Sequence, residues 1–325
     1  MSTPDAAEER IALAYYYIWF TKGWFDGSHT PHLKAAMSDI HPVIGPYDSH
    51  DEDLIAEHMK QCRKAKLDAL AVSWFFERRN YGPGGRYTGA SSDNILESVM
   101  RIGSEQGLRL CIDMEAGSLD ADRLYRALKQ YIGTYRDDPR VLHARGKPVV
   151  LCWSTWQLGR EVWTEMTGKL RGEGLEAFYV ASNQMDPAYF TFLDALECYT
   201  PLSTTETVMQ TYGRVRKAVD EHNSTPSGKA KPGCWHATIM PGFDDRLIPG
   251  RLERDDYAHF RLRHEGHYYW ETFAAAVASR PEWLHVTSFN ELAEHSHIEE
   301  TEEYGDLYLR LTAKMVGDFK ANMAY

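Results

Sequence analysis

The stretch that decides the fold is Glu282-Trp-Leu-His-Val-Thr-Ser-Phe-Asn-Glu-Leu-Ala-Glu-His-Ser-His-Ile-Glu299. Its first half, residues 283–289, is a short apolar and β-branched run and reads as a buried strand. It ends abruptly in Asn290, Glu291, Glu294, His295, His297 and Glu299. A strand that delivers carboxylates and imidazoles past its C-terminal end suits the mouth of an α/β barrel.

Working back from there, apolar runs at 11–20, 67–74, 108–115, 147–154, 177–182, 195–200 and 234–240 read as seven further strands. Apolar positions recur at helical spacing between most of them. Asp51 and Asp53 open one helix, with Leu54, Ile55, His58, Met59, Cys62 and Ala65 on one face. Other helices are predicted at 94–106, where Gly107 closes the helix, and at 119–135, 157–172, 205–221, 265–279 and 303–322. Only a short connection follows the fifth strand. Residues 21–50, 77–92, 223–233 and 241–263 read as loops. Continuous apolar strands alternating with helices indicate a parallel sheet. Eight strands without an internal linker or a short repeat predict a single (β/α)8 barrel, with residues 1–325 as one catalytic domain. A doubly wound open sheet would call for a glycine-rich phosphate loop after an early strand. Gly82-Pro-Gly-Gly85 matches neither the Walker nor the dinucleotide pattern.

The formal charge of −11 disfavours nucleic acid or an anionic membrane as a partner. No apolar run reaches the length of a membrane span. Cys62, Cys111, Cys152, Cys198 and Cys234 are widely spaced and read as buried thiols, with no zinc or disulfide framework. The first residues lack a basic and an apolar leader region. As it stands the chain reads as cytoplasmic, or as secreted or periplasmic if a signal was trimmed.

Glu291 and Glu294 are three residues apart. If the chain turns helically after the strand, their side chains share a face, roughly 5–6 Å apart at Cβ. Paired carboxyls about 5–5.5 Å apart suit retaining glycoside hydrolysis, and about 6.5–9.5 Å suits inversion. The other strand ends carry Trp19, Trp74, Asp113 with Glu115, Trp153, Asn183, Tyr199, His236 and Asn290. Acids for proton transfer, amides for hydroxyls and rings for C–H faces are what a sugar requires. His295 and His297, with His236 and Glu299, match no strong metal signature, so no metal or cofactor is called for.

Several motifs converge on one family. The first strand carries Tyr16-Tyr17-Ile18-Trp19-Phe20, followed by Pro42-Val-Ile-Gly45-Pro-Tyr47-Asp-Ser49, His58-Met59-Lys60-Gln61 and Ser73-Trp74-Phe75. Later come Pro241-Gly242-Phe243-Asp244-Asp245, Gly266-His-Tyr268-Tyr269 and Ser288-Phe289-Asn290-Glu291-Leu292-Ala293-Glu294-His295-Ser296-His297-Ile298-Glu299. In this order the chain resembles glycoside hydrolase family 99, the endo-α-1,2-mannosidases and mannanases, along nearly its whole length. The resemblance implies a (β/α)8 barrel that hydrolyses an α-linked oligosaccharide or polysaccharide with retention. It implies that Glu291 takes the proton of the substrate 2-hydroxyl, forming a 1,2-anhydro sugar, and that Glu294 is general acid and then general base. Tyr17, Trp19, Trp74, Asp113, Glu115, Tyr199, His236, Asn290, His295 and His297 are the candidates for substrate binding. Leu292, His295 and Asp113 depart from the family's Trp, Gly and His at those positions, which bears on sugar specificity. The alternatives are the same barrel with another sugar task, in hydrolysis or polysaccharide biosynthesis, or a non-catalytic glycan-binding barrel.

Overall fold

The computed structural model describes residues 9–76, 79–82, 86–255 and 257–322, and the amino-terminal residues that bear on a leader lie outside these. Eight strands form the barrel: β1 Ala12–Tyr16, β2 Ala69–Trp74, β3 Arg109–Glu115, β4 Lys147–Trp153, β5 Phe178–Ala181, β6 Ala195–Glu197, β7 Cys234–Ile239 and β8 Trp283–Val286. Each pairs in parallel with the next, and β8 pairs with β1 through Ala12–Leu284, Leu13–His285 and Ala14–Val286, which closes the barrel.

The continuous apolar runs are explained by burial on both faces. Leu13, Tyr15, Ala71, Cys111, Leu151, Val180 and Trp283 alternate inward to an interior core. Their neighbours Ala14, Tyr16, Val72, Ile112, Cys152, Tyr179 and Leu284 alternate outward against the helices. All five cysteines are buried.

The long helices are α1 Glu52–Lys64, α2 Ser92–Glu105, α3 Ala121–Tyr135, α4 Thr155–Gly172, α5 Val208–Ser224, α6 His267–Ala278 and α7 Leu307–Lys320. Local chemistry sets their starts. Asp51 caps α1 by accepting from the Asp53 amide at 3.0 Å, and Asp120 caps α3 from the Arg123 amide at 2.8 Å. Thr207 and Gln210 form a reciprocal capping box on α5. Gly107 follows α2 at φ 75°, a left-handed conformation that suits glycine. After β5 a 3-10 turn, Pro187–Thr191, takes the helix position, which agrees with the short connection expected there.

The expected loops hold short ordered pieces: Lys22–Phe25 and Pro226–Ala230 are brief helices, and Phe243–Asp244 pairs antiparallel with Phe260–Arg261. Within 77–92, Arg79–Gly82 and Arg86–Ser91 pair as an antiparallel hairpin; residues 77, 78 and 83–85 lie outside the described residues. No helix among the described residues is long and apolar enough to cross a membrane.

Candidate active site

At the C-terminal end of the barrel lies a cavity of about 460 Å³, a volume typical of small-ligand sites. Its wall includes Tyr17, Trp19, Asp113, Glu115, Trp153, Trp156, Asn183, Tyr199, Arg251, Tyr257, Glu291 and Glu294.

The segment after β8 is folded on itself rather than helical. Ser288 and Ser296 clasp its two ends: the Ser288 amide donates to the Ser296 carbonyl at 2.8 Å, and their hydroxyls lie 3.1 Å apart. The Glu291 amide donates to Ser288 Oγ at 2.7 Å, and the His295 amide closes a turn on Leu292 at 3.0 Å. The expected helical turn is therefore replaced by a reverse turn, because side-chain bonds within the loop satisfy the backbone. Both carboxylates still face the cavity.

Burial pushes the Glu291 carboxyl well above its ordinary range, and the charge of Glu294 adds to the effect. Burial also raises Glu294, while the Arg251 guanidinium, with Nη2 2.9 Å from Oε1, pulls it back down. Arg251 belongs to the loop after β7. Asp245 anchors that loop by accepting from Tyr257 Oη and from His259 Nδ1 at 2.8 Å.

The aromatic wall is one connected set. Tyr17 and Tyr199 share a short hydrogen bond between their hydroxyls. Tyr17 packs on Trp19 with centroids 4.4 Å apart, and Trp153 meets Tyr199 edge-on at 5.2 Å. Trp156 packs edge-on against Trp153 and is 46% exposed, which leaves much of its ring to solvent.

On the strand beside Trp153, Glu115 accepts from Ser73 Oγ at 2.8 Å and Asp113 accepts from Ser182 Oγ at 2.8 Å. Burial pushes Asp113 up to about 7. Glu197 accepts from Thr238 Oγ1 and from the Asn183 amide, and burial pushes it up to about 8. Asp113 in the cavity wall and the fully buried Glu197 are thus carboxyls that burial shifts towards their neutral form.

Of the residues expected to contact substrate, Tyr17, Trp19, Asp113, Glu115 and Tyr199 line the cavity, and five others do not. Trp74 ends β2 but alternates outward, where Nε1 donates to Asp93 of α2 at 2.7 Å; Ser73 takes the inward position. His236 lies near the start of β7, level with Trp283 at the start of β8, and stacks on that ring at 4.6 Å. It forms part of the barrel floor, and burial keeps it neutral.

Asn290 clamps β1 instead of facing the cavity. Its Oδ1 accepts from the Tyr17 amide at 2.8 Å and its Nδ2 donates to the Tyr17 carbonyl at 2.9 Å. His295 meets the Ala36 carbonyl through Nε2 at 2.9 Å. The His295 and His297 carbonyls both accept from Nη2 of the buried Arg263 at 2.9 Å. These residues hold the loop that presents the two glutamates.

Trp156, Arg251, Arg254 and Tyr257 also line the cavity and were not among the expected site residues. Trp156 follows β4 by a few residues, so the strand-end rule extended by one turn reaches it. The arginines lie in the long Asp- and Arg-rich loop 241–263, whose path no local pattern defines.

The model of glycosyl hydrolase family 99 matches residues 21–304. The chain belongs to glycosyl hydrolase family 99. As a member it is a glycoside hydrolase, and its substrate is a glycan. Within the family it is 21% identical over 327 residues to a rat glycoprotein endo-alpha-1,2-mannosidase, covering 88% of this chain and 67% of the relative. It is 24% identical over 326 residues to a mouse glycoprotein endo-alpha-1,2-mannosidase-like protein, covering 90% of this chain and 68% of the relative. The family 99 endo-alpha-mannosidase of Bacteroides thetaiotaomicron superposes with a TM-score of 0.75 at 18% identity, covering 96% of this chain and 98% of the other.

The family motifs now divide into two groups. Tyr17, Trp19, Glu291 and Glu294 line the cavity. Tyr47, His58 and Glu299 instead build a buried network behind it. Glu299 accepts from Tyr47 Oη at 2.9 Å and meets His58 Nε2 at 3.1 Å, and His58 Nδ1 meets Tyr16 Oη at 3.0 Å.

Proposed function

We propose that this family 99 hydrolase cleaves an α-linked glycan with retention, in the manner of an endo-α-1,2-mannosidase, and that Glu291 and Glu294 carry the reaction. The observation that supports this reading is the pair itself. Two carboxyls, Glu291 buried and Glu294 partly buried, face one cavity from a single braced loop, and Arg251 is hydrogen-bonded to Glu294.

In the first step Glu291 removes the proton from the sugar 2-hydroxyl. The oxygen so exposed attacks the anomeric carbon as the bond to the glycosidic oxygen breaks, and Glu294 protonates the leaving oxygen. The product is a 1,2-anhydro sugar and a freed glycan. In the second step Glu294 removes a proton from water, which opens the three-membered ring at the anomeric carbon, and Glu291 returns its proton to the 2-oxygen. Two displacements restore the α configuration.

Before substrate binds, burial and the neighbouring charge favour the proton on Glu291, and Arg251 favours charge on Glu294. The reading therefore requires the glycan to displace the guanidinium and let the proton pass to Glu294. Tyr17, Trp19, Trp153 and Trp156 supply rings for sugar faces, and Asp113, Glu115 and Asn183 supply polar partners for hydroxyls.

The test is an α-mannoside whose 2-hydroxyl is replaced by hydrogen. Binding without turnover is expected. Turnover of the deoxy sugar at the normal rate would remove the 2-hydroxyl, and with it the role of Glu291, from the mechanism.

A further inference from the structure

Beside the catalytic cavity lies a second, more open groove of about 820 Å³. The segment Pro201 to Thr207 separates the two, and Pro201, Ser203 and Glu206 line both. The far wall is the start of α6 with the chain leading into it, including Leu262, His264, His267 and Trp270.

The dividing segment is pinned in place. Arg261 Nη2 donates to the Ser203 carbonyl at 3.2 Å, Tyr268 Oη donates to the Pro201 carbonyl at 3.2 Å, and the Ala258 amide donates to the Leu202 carbonyl at 2.7 Å. Ser203 Oγ accepts from the Thr205 and Glu206 amides at 3.2 and 3.0 Å. A ridge fixed from both sides gives the groove a defined shape without a ligand.

The lining chemistry selects among ligands. Ser203, Thr204, Thr205, Thr207 and Gln210 bring hydroxyls and an amide to the groove. Its arginine, Arg261, is turned onto backbone carbonyls of Phe260 and Ser203. Glu206 is matched by Arg214. With Glu271 also in its wall and Arg261 spent on carbonyls, the groove is poorly suited to a phosphate or a carboxylate. Leu262, 51% exposed, and the partly buried ring of Trp270 add apolar surface among the hydroxyls. Neutral hydrogen-bonding groups interleaved with apolar faces suit an uncharged polyhydroxylated chain.

We propose that this groove is a remote subsite that takes sugar units of the glycan beyond those in the catalytic cavity, the chain crossing the ridge at Ser203. The proposal rests on the reading of the cavity as a glycan-cleaving site. It makes the enzyme one that grips an extended chain and gains rate from sugars far from the scissile bond.

The test uses α-1,2-linked mannooligosaccharides of increasing length. For each enzyme the ratio of kcat/KM on the longest to that on the shortest substrate is measured. Wild type is expected to gain roughly tenfold once the chain crosses the ridge, the equivalent of about 1.4 kcal/mol. Thr205→Arg, which fills the groove, and His267→Ala, which removes a wall group, are each expected to lose most of that gain. In parallel, the methyl signals of Leu262 and Thr205 are followed by NMR as the long oligosaccharide is added to wild type.

A length gain that the variants lose, with shifted methyl signals, supports the subsite. Turnover with no length gain, or a gain that both variants keep, overturns it and leaves the cavity reading intact. Shifted methyl signals without turnover keep the subsite and overturn the α-mannoside reading. Neither turnover nor shifts overturns both.

Discussion

Arg251 holds Glu294 through Nη2 at 2.9 Å from Oε1, so a cation carried on the loop after β7 grips one of the two cavity carboxyls. Glu291, Asp245 and Arg254 also act on Glu294 electrostatically. Among these, Arg251 is the strongest influence stabilising the charged carboxylate. Arg251→Gln therefore raises the pKa of Glu294. If Glu294 is the general acid, its protonated form then persists to higher pH. The alkaline limb of the kcat/KM profile should move up by roughly one unit. An unchanged alkaline limb, with turnover retained, would separate Glu294 from the acid role.

Replacing the carboxyls one at a time distinguishes their tasks. Glu294→Gln should lower kcat by roughly 10²–10⁴ on a natural glycan. It should recover much of that loss on an aryl glycoside, whose leaving group requires little protonation. Glu291→Gln should lose activity on both substrates, since the 2-hydroxyl must be deprotonated in either case. Steady-state kinetics on the two substrates decides it, and equal rescue of both variants would contradict the assignment.

The network behind the cavity should matter for stability more than for chemistry. His58 is fully buried between Tyr16 and Glu299. His58→Ala leaves two buried groups short of a partner and should cost about 1–3 kcal/mol in denaturant unfolding. KM should change little if the loop after β8 keeps its shape. A stability loss well below that range would show that water or a rearranged Tyr47 replaces the imidazole.

Glu197 gives a pH dependence with a defined sign. Its carboxyl is pushed from an ordinary 4.5 up to about 8 by burial. The folded state therefore binds a proton that the unfolded chain has released between those values. The stability associated with this group is complete below the lower value and is lost as pH rises towards the upper one. Glu197→Gln should make the dependence of unfolding free energy on pH flatter across that window. Chemical denaturation of both proteins at a series of pH values measures this, and parallel curves would contradict it.

How far the sequence could be read follows from which signals are local. Strands buried on both faces announce themselves as unbroken apolar runs, so the barrel and its closing strand at Trp283–Val286 could be placed directly. The loop after β8 could be recognised as the element that brings carboxyls to the barrel mouth because its polar residues follow a strand without transition. The direction of individual side chains was harder to read. Trp74 and Ser73 exchange roles through a one-residue change of phase, which composition does not reveal. His236 sits near the start of its strand, and the apolar run around it extends in both directions, so the sequence does not mark which end it occupies. His295, His297 and Asn290 carry chemistry-bearing groups but spend them on backbone, a choice made by tertiary contacts with Ala36, Arg263 and Tyr17. Arg251 reaches Glu294 across 43 residues of sequence, and nothing near either residue announces the pairing.

The most direct test of the central claim is the anomeric configuration of the first product. Time-resolved NMR would follow wild type and Glu294→Gln acting on an α-1,2-mannose oligosaccharide, within a panel of α-linked mannosides and glucosides. The account predicts that wild type releases the α anomer first, with β appearing later by mutarotation, and that the variant releases neither at a comparable rate. Initial release of the β anomer, or equal turnover by Glu294→Gln, would contradict it.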